Sequence, residues 1–207
     1  MGRGRHAGYD EQREMILERA AALFARGGYP GTSMNQVAEA CGLSKATLYH
    51  YYRDKYELLV NIADGHVTRL QGIVAEALAE DKSPQGQLRA LIRRLVEEYA
   101  NAQNEHRVLT EDVKFLLEED RERILDKERE VVAAFAKVVA TLRPDLKKAA
   151  MSKPLTMLLF GMVNWMFTWM QPQGALSYEA MAPVVSDLFL GGLQAVQAPA
   201  KESASAS

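Results

Sequence analysis

The stretch from Cys41 to Lys55, CGLSKATLYHYYRDK, gathers Tyr49, His50, Tyr51 and Tyr52 into what should be one short helix. At 100° per residue, Leu48 and Tyr52 share one side of that helix, and Lys45, Ala46, Tyr49 and His50 share the other, with Tyr51 on the flank. The first side is a packing face. The second presents a cation, two hydrogen-bonding aromatic groups and a small apolar residue, a combination that can reach phosphates and base edges in a DNA major groove. Lys55 and the helix amides near Ser33 are placed to hold flanking phosphates.

Other reactive residues give no competing constellation. Cys41 is the only cysteine, with no second thiol to resolve a sulfenic acid, and reads as a small apolar group in a turn. His66 and His106 read as isolated, without a partner at metal-ligand spacing, and no metal or other cofactor is expected. No nucleophile, metal cluster or paired acid and base stands out, so an enzyme is not expected. The run from Glu118 to Glu130 reads as a solvated helix face with internal ion pairs.

These side chains need helices to place them, and the chain reads as helix after helix, about nine in all, without strand alternation: an all-α fold. The first helix spans about Tyr9 to Arg26, with Ile16, Ala20, Leu23 and Phe24 inward, and stops at the Gly27 to Gly31 cluster. Ser33 and Gln36 form a capping box for the second, which Gly42 closes. Ser44 caps a third that ends near Tyr52, and two short helices around a tight turn make a helix-turn-helix. Asp54 and Glu57 open a long helix to about Glu80. Ser83-Pro84 starts another to about Asn104, and helical pattern resumes from Glu105 to Leu142, broken near Leu117 and ended by Pro144. Segments from Ser152 to Met170 and from Ser177 to about Val196 complete the body. The expected division is a DNA-binding domain over 1–53, a ligand-binding and dimerisation domain over 54–197, and a disordered tail over 198–207.

Composition narrows the class. With 207 residues, 48% apolar and 25% charged, the chain can bury a sizeable core. Residues 1–55 carry 8 Lys and Arg against 6 Asp and Glu, and the remainder 17 against 21, so the basic end is the one suited to a polyanion. Arg3 and Arg5 could add nonspecific phosphate contacts. The uncharged run from Pro154 to Tyr178 is not expected to span a membrane, because Pro172 and Gly174 cut it after Met170 and Leu155 to Met170 is short. One cysteine and no apparent targeting peptide point to the cytoplasm.

GYPGTSMNQVAEACGLSKATLYHYYRDKYELL, Gly28 to Leu59, resembles the N-terminal domain of the tetracycline-repressor (TetR) family of bacterial transcription regulators. The resemblance implies a DNA-binding repressor with contacts from Thr32, Ser33, Ser44, Lys45, Ala46, Thr47, Tyr49, His50, Tyr51 and Lys55. Ala46 stands where glycine is common in the family, and Tyr52 where phenylalanine is usual. Two copies of the third helix must lie about one DNA turn apart, or a multiple of it, so a homodimer on a near-palindromic operator is expected.

The later part, Leu158 to Leu193, is similar to a subgroup sensing acyl-coenzyme A thioesters, phenylacetyl-coenzyme A among them, and controlling catabolic operons. That resemblance implies a small-molecule effector as inducer. An apolar cavity along Phe160, Met162, Asn164, Trp165 and Trp169 would take the acyl group, with both indoles buried and seeking partners. Arg107, Lys114, Arg121 and Arg123, backed by Phe115 and Leu116, would meet the nucleotide phosphates. Val184, Leu188, Phe189 and Leu193, with Gly161 and Gly192 allowing close approach, are the expected dimer contacts. Two alternatives remain: a family regulator of an efflux or stress gene sensing a drug-like apolar molecule, and a helical adaptor that does not bind DNA.

Overall fold

A computed structural model describes residues 3–170 and 174–198, and among these the side chains outside residues 3–7 and Phe167. Among the described residues the elements are helical only: α1 (Arg3–Gly27), α2 (Met34–Ala40), α3 (Lys45–Tyr51), α4 (Lys55–Glu80), α5 (Pro84–Asn101), α6 (Gln103–Asp112), a single 3-10 turn (Val113–Phe115), α7 (Glu118–Leu142), α8 (Pro144–Lys148), α9 (Ser152–Trp169) and α10 (Tyr178–Ala195). The expected all-α fold is therefore found. The tenth helix is α8: Pro144, read as a terminator, occupies the first turn of a new helix, where its missing amide costs nothing. The side chains of Arg3 and Arg5, the Pro172 stop and the tail beyond residue 198 lie outside the described residues. Among the described residues no helix is long and apolar enough to cross a membrane.

The boundaries follow local chemistry. Ser33 Oγ accepts the Gln36 amide at 3.3 Å while Gln36 Oε1 accepts the Ser33 amide at 2.8 Å, closing the capping box of α2. Gly42, at φ +64°, takes the left-handed conformation that ends α2, and the Leu43 amide turns back to the Ala38 carbonyl at 2.9 Å. Ser44 Oγ accepts the Thr47 amide at 3.1 Å and starts α3. Ahead of α4, the Glu57 amide bonds Asp54 Oδ1 at 2.8 Å. The Glu57 carboxylate in return accepts from the amide one residue further back, that of Arg53, at 2.7 Å. In the turn after α1, a Cβ on Gly31 would lie 2.7 Å from the Gly27 carbonyl oxygen, so the chain passes where no side chain fits.

Two compact units result, one of residues up to 69 with 101–128, the other of 70–100 with residues from 129 onward. This division differs from a cut after residue 53 because the first core is not made by the first three helices alone. Ile16, Phe24, Leu48 and Tyr52 share it with Leu58, Leu59, Ile62 and Val67 of α4 and with Val108, Leu109, Leu116 and Ile124. A separate core in the second unit joins Leu88, Leu91 and Leu95 of α5, Phe135 and Val139 of α7, Leu159, Phe160 and Val163 of α9, and Phe189 and Leu193 of α10. Phe135 meets Phe160 edge-on at 5.0 Å. The Arg143 guanidinium ties the end of α10 by donating to the Leu193 carbonyl and, at 2.9 Å, to the Val196 carbonyl.

Candidate nucleic-acid interface

The seven residues of α3 are too few to be helical alone, so tertiary contacts must hold them in place. Leu48 and Tyr52 are fully buried and anchor the inner side. Burial pushes the Tyr52 phenol up to about 12, so it stays neutral and donates to the Arg13 carbonyl at 3.3 Å. Lys45, Ala46, Thr47, Tyr49 and His50 are exposed on the outer side, and Tyr51 is half-buried on the flank, as the wheel predicts. The Lys45 ammonium lies 5.9 Å from the Tyr49 ring centre, and the His50 ring meets Tyr51 edge-on at 5.7 Å. Cations and hydrogen-bonding rings thus form one continuous outward face. Ser44 lies at the exposed start of that face, its hydroxyl 2.7 Å from that of Thr47.

Two expected DNA contacts have other duties. Thr32 is buried, and its hydroxyl donates to the Gly28 carbonyl at 3.0 Å, so it secures the turn after α1; of the pair Thr32 and Ser33, only Ser33 reaches the surface. Lys55 is half-buried, with its ammonium 2.8 Å from the Tyr29 carbonyl and 4.4 Å from the Tyr29 ring centre. In this arrangement it braces the same turn.

The motif alone does not reveal the bracing set. Tyr9 stacks on Tyr51 at 4.9 Å, and Arg13 donates to the Tyr51 carbonyl at 3.3 Å with its guanidinium 4.5 Å from the Tyr52 ring centre. Burial would lower the Arg13 guanidinium, but its hydrogen bond to the Tyr9 side chain and the nearby Tyr52 raise it overall. Tyr9 and Arg13 stand four apart on α1, the only sign the sequence gives that they share a face. The Tyr56 hydroxyl donates to Asp120 at 2.7 Å and accepts the Leu117 amide at 3.0 Å. Asp120, bonded to Tyr56 and Arg123, is held below the usual carboxylate range.

His66 and His106 are not isolated. His66 Nε2 lies 3.3 Å from His106 Nδ1, with both rings buried, so α4 and α6 meet through a shared polar contact rather than presenting solvated histidines. Burial lowers both, His66 to about 3 and His106 to about 4, with each other's charge a further cause at His66. Burial also pushes the Cys41 thiol up, away from thiolate reactivity.

The expected effector residues fall in different units. In the first, Arg107 pairs with Glu111 at 3.0 Å, Arg121 with Glu118 at 3.6 Å, and Arg123 with Asp120 at 2.9 Å and also with Asp64. Lys114 sits 5.3 Å from the Phe115 ring centre, Phe115 lies against Tyr29 at 5.5 Å, and Leu116 is buried in the first core. Leu116 therefore completes the packing of the first unit instead of backing an acyl pocket, while Phe115 stays exposed beside Tyr29. In the second unit Phe160 is buried and Met162 half-buried, and Asn164 Oδ1 and the Tyr178 hydroxyl are buried without a hydrogen bond among the described residues.

Both tryptophans depart from expectation. Trp165 is 68% exposed and Trp169 51%, on a helix apolar on every side, so they face outward rather than into a cavity. Also exposed are Leu158 and Gly161 of α9 and Val184, Leu188 and Gly192 of α10. Phe189 and Leu193, read as dimer contacts, turn inward to the unit's own core because they fall on the opposite side of α10 from Val184 and Leu188.

A helix-turn-helix with an outward polar face, joined to further helices, defines a helical DNA-binding regulator. Residues 16–62 match the model of the bacterial regulatory proteins of the tetR family, and residues 81–193 match a tetracyclin repressor-like C-terminal domain. The chain belongs to the TetR family of transcription regulators and is not an enzyme. A crystal structure of a TetR-family transcriptional regulator from Bordetella parapertussis is 34% identical, covering 90% of this chain and 98% of that one with a TM-score of 0.83. The crystal structure of AibR in complex with isovaleryl coenzyme A and operator DNA is 25% identical, covering 86% and 97% with a TM-score of 0.74. The transcriptional activator FasR of Mycolicibacterium smegmatis is 32% identical over 90 residues, 44% of this chain and 41% of that protein, so the match spans less than half of FasR.

Proposed function

We propose that the protein is a homodimeric repressor that grips a near-palindromic operator with two copies of α3, is released by an acyl-coenzyme A thioester such as phenylacetyl-coenzyme A, and controls a catabolic operon from the cytoplasm. The observation that carries the DNA-binding part is the division of α3 between a buried side, Leu48 and Tyr52, and an exposed one, Lys45, Tyr49 and His50. Exposed Trp165, Leu188 and their neighbours supply the apolar patch a second copy would cover. The thioester rests on the similarity to AibR, whose structure holds isovaleryl coenzyme A together with operator DNA.

A second reading, an uncharged drug-like effector controlling an efflux or stress gene, is favoured by one observation. Arg107, Arg121 and Arg123 each lie beside a carboxylate, which would have to yield before a nucleotide phosphate could take the guanidinium.

The test is thermal stabilisation by phenylacetyl-, isovaleryl- and long-chain acyl-coenzyme A, with free coenzyme A and apolar drugs as comparisons, followed by operator titration. A cognate thioester raises the melting temperature by mass action and lowers operator affinity about thirtyfold, some 2 kcal/mol. Stabilisation by drugs alone moves the assignment to the second reading. Unchanged operator affinity at saturating thioester removes the inducer role.

A further inference from the structure

The recognition helix is short. The Tyr52 amide donates to the Leu48 carbonyl, the carbonyls beyond it have no partner within the helix, and seven residues give it little stability of its own. Two side chains from α1 meet that end. Arg13 donates to the carbonyl of Tyr51, the last residue of α3, and thereby places a cation at the negative pole of the helix dipole. The same guanidinium lies over the ring of Tyr52, whose hydroxyl returns a bond to the Arg13 carbonyl. One turn earlier on α1, Tyr9 stacks on Tyr51 with the ring planes 28° apart, and the edge of His50 meets Tyr51. His50 is exposed on the reading face.

A chain of contacts therefore runs from α1 to the outermost reading residue. Remove Tyr9, and Tyr51 loses the surface that fixes its ring, while His50 loses its backstop. Remove Arg13, and the last turn of α3 loses its cap.

We propose that Tyr9 and Arg13 are positioning residues for operator recognition, holding the end of the recognition helix and the rings of Tyr51 and His50 in the orientation that reads the DNA sequence. Both groups are half-buried, and Arg13 is committed to the Tyr51 carbonyl, so neither serves as a phosphate contact. Their effect falls on discrimination among sequences rather than on general attraction to DNA. The inference rests on the reading of α3 as the DNA-contacting helix.

The experiment begins with the full-length wild-type protein, which selects its operator from a pool of random duplexes. Affinities for the selected duplex and for a scrambled one are then measured over a salt series for Tyr9→Ala, Tyr9→Phe, Arg13→Gln and, as a phosphate-contact control, Lys45→Ala. Tyr9→Ala and Arg13→Gln should lose about ten- to a hundredfold on the selected duplex while keeping wild-type affinity for the scrambled one and a wild-type salt slope. Tyr9→Phe keeps the stack and should stay within about threefold of wild type. Lys45→Ala should instead weaken both duplexes and flatten the slope by about one per subunit.

Wild-type behaviour of Tyr9→Ala and Arg13→Gln overturns the proposal. So does a parallel loss on both duplexes, which would mean general unfolding, or a flattened salt slope, which would mean direct phosphate contact. Tyr9→Phe as weak as Tyr9→Ala would transfer the role from the stacked ring to the hydroxyl and overturn it equally. If the wild-type protein selects no sequence at all, the DNA-reading assignment of α3 fails first and this inference goes with it.

Discussion

Both units pair polar side chains, the second through Arg93 and Arg94 with Glu80, but they differ in what they leave unmatched. In the first, polar side chains are turned on one another: Tyr52 on Arg13, Tyr56 on Asp120, Lys127 on Asp64 at 2.8 Å, and His66 on His106. In the second, Asn164 Oδ1 and the Tyr178 hydroxyl are buried without a hydrogen bond among the described residues, while Trp165, Trp169, Val184 and Leu188 stand in the open. A surface finished from within can be stiff before it meets DNA, and stiffness is what a sequence reader needs. On the proposed function, a second copy would cover the apolar patch and a small molecule would meet the buried polar atoms.

The largest effect should come from the exposed face of the second unit. Trp165→Glu with Leu188→Glu places two charges where the apolar patch lies, and both positions are exposed in the single chain, so folding should survive. Sedimentation should show monomer at micromolar concentration, with operator affinity down about a thousandfold, some 4 kcal/mol, because one half-site is no longer held by the other. A persistent dimer would deny that the two units divide the work in this way.

Next is the finished surface of the first unit. Tyr49→Ala with His50→Ala removes two groups that touch little of the protein, so the melting temperature should hold while operator affinity falls about a hundredfold, at roughly 1–3 kcal/mol for each base-edge interaction removed. Effector-induced stabilisation should be untouched. An unchanged operator titration would leave the outward rings without a purpose.

A third effect, on folding rather than on DNA binding, sharpens the contrast through pH. The folded-state values of His66 and His106 lie below the ordinary 6.5, so the unfolded chain takes up these protons first. The stability that depends on neutral rings is whole above pH 6.5 and is lost as acid is added toward the folded values near 3 and 4. Between pH 7 and 5 each buried ring should contribute a loss of about 2 kcal/mol, seen as a falling denaturant midpoint that His106→Gln flattens. A flat wild-type profile would show that the pair is not buried in solution.

Local chemistry makes much of this legible in advance. The Ser33 and Gln36 box, the Ser44 cap and the left-handed Gly42 each act within a few residues, and the sides of α3 follow from helical period alone. What the sequence hides depends on distant partners. His66 and His106 are 40 positions apart in the chain, and no periodicity could join them. On α9, apolar all round, period cannot say which apolar side meets its own core and which meets another molecule, so nothing local turns Trp165 and Trp169 outward. Phe189 and Leu193 depart in the opposite direction, although there helical period already sets them across α10 from Val184 and Leu188. Pro144 has two local meanings, helix stop and first-turn residue, and only the fold of the chain beyond it chooses between them.

At Gly31 the backbone passes so near the end of α1 that even a methyl group would strike a carbonyl oxygen. Lys55, the first residue of α4, is fastened to the two residues just before Gly31, Tyr29 and Pro30. An alanine at this site would act as a wedge driven between one helix and the root of the next. The expected phenotype is an operator-binding defect from a residue well removed, in sequence, from the outward side chains of α3, a warning against reading loss of DNA binding as proof of DNA contact.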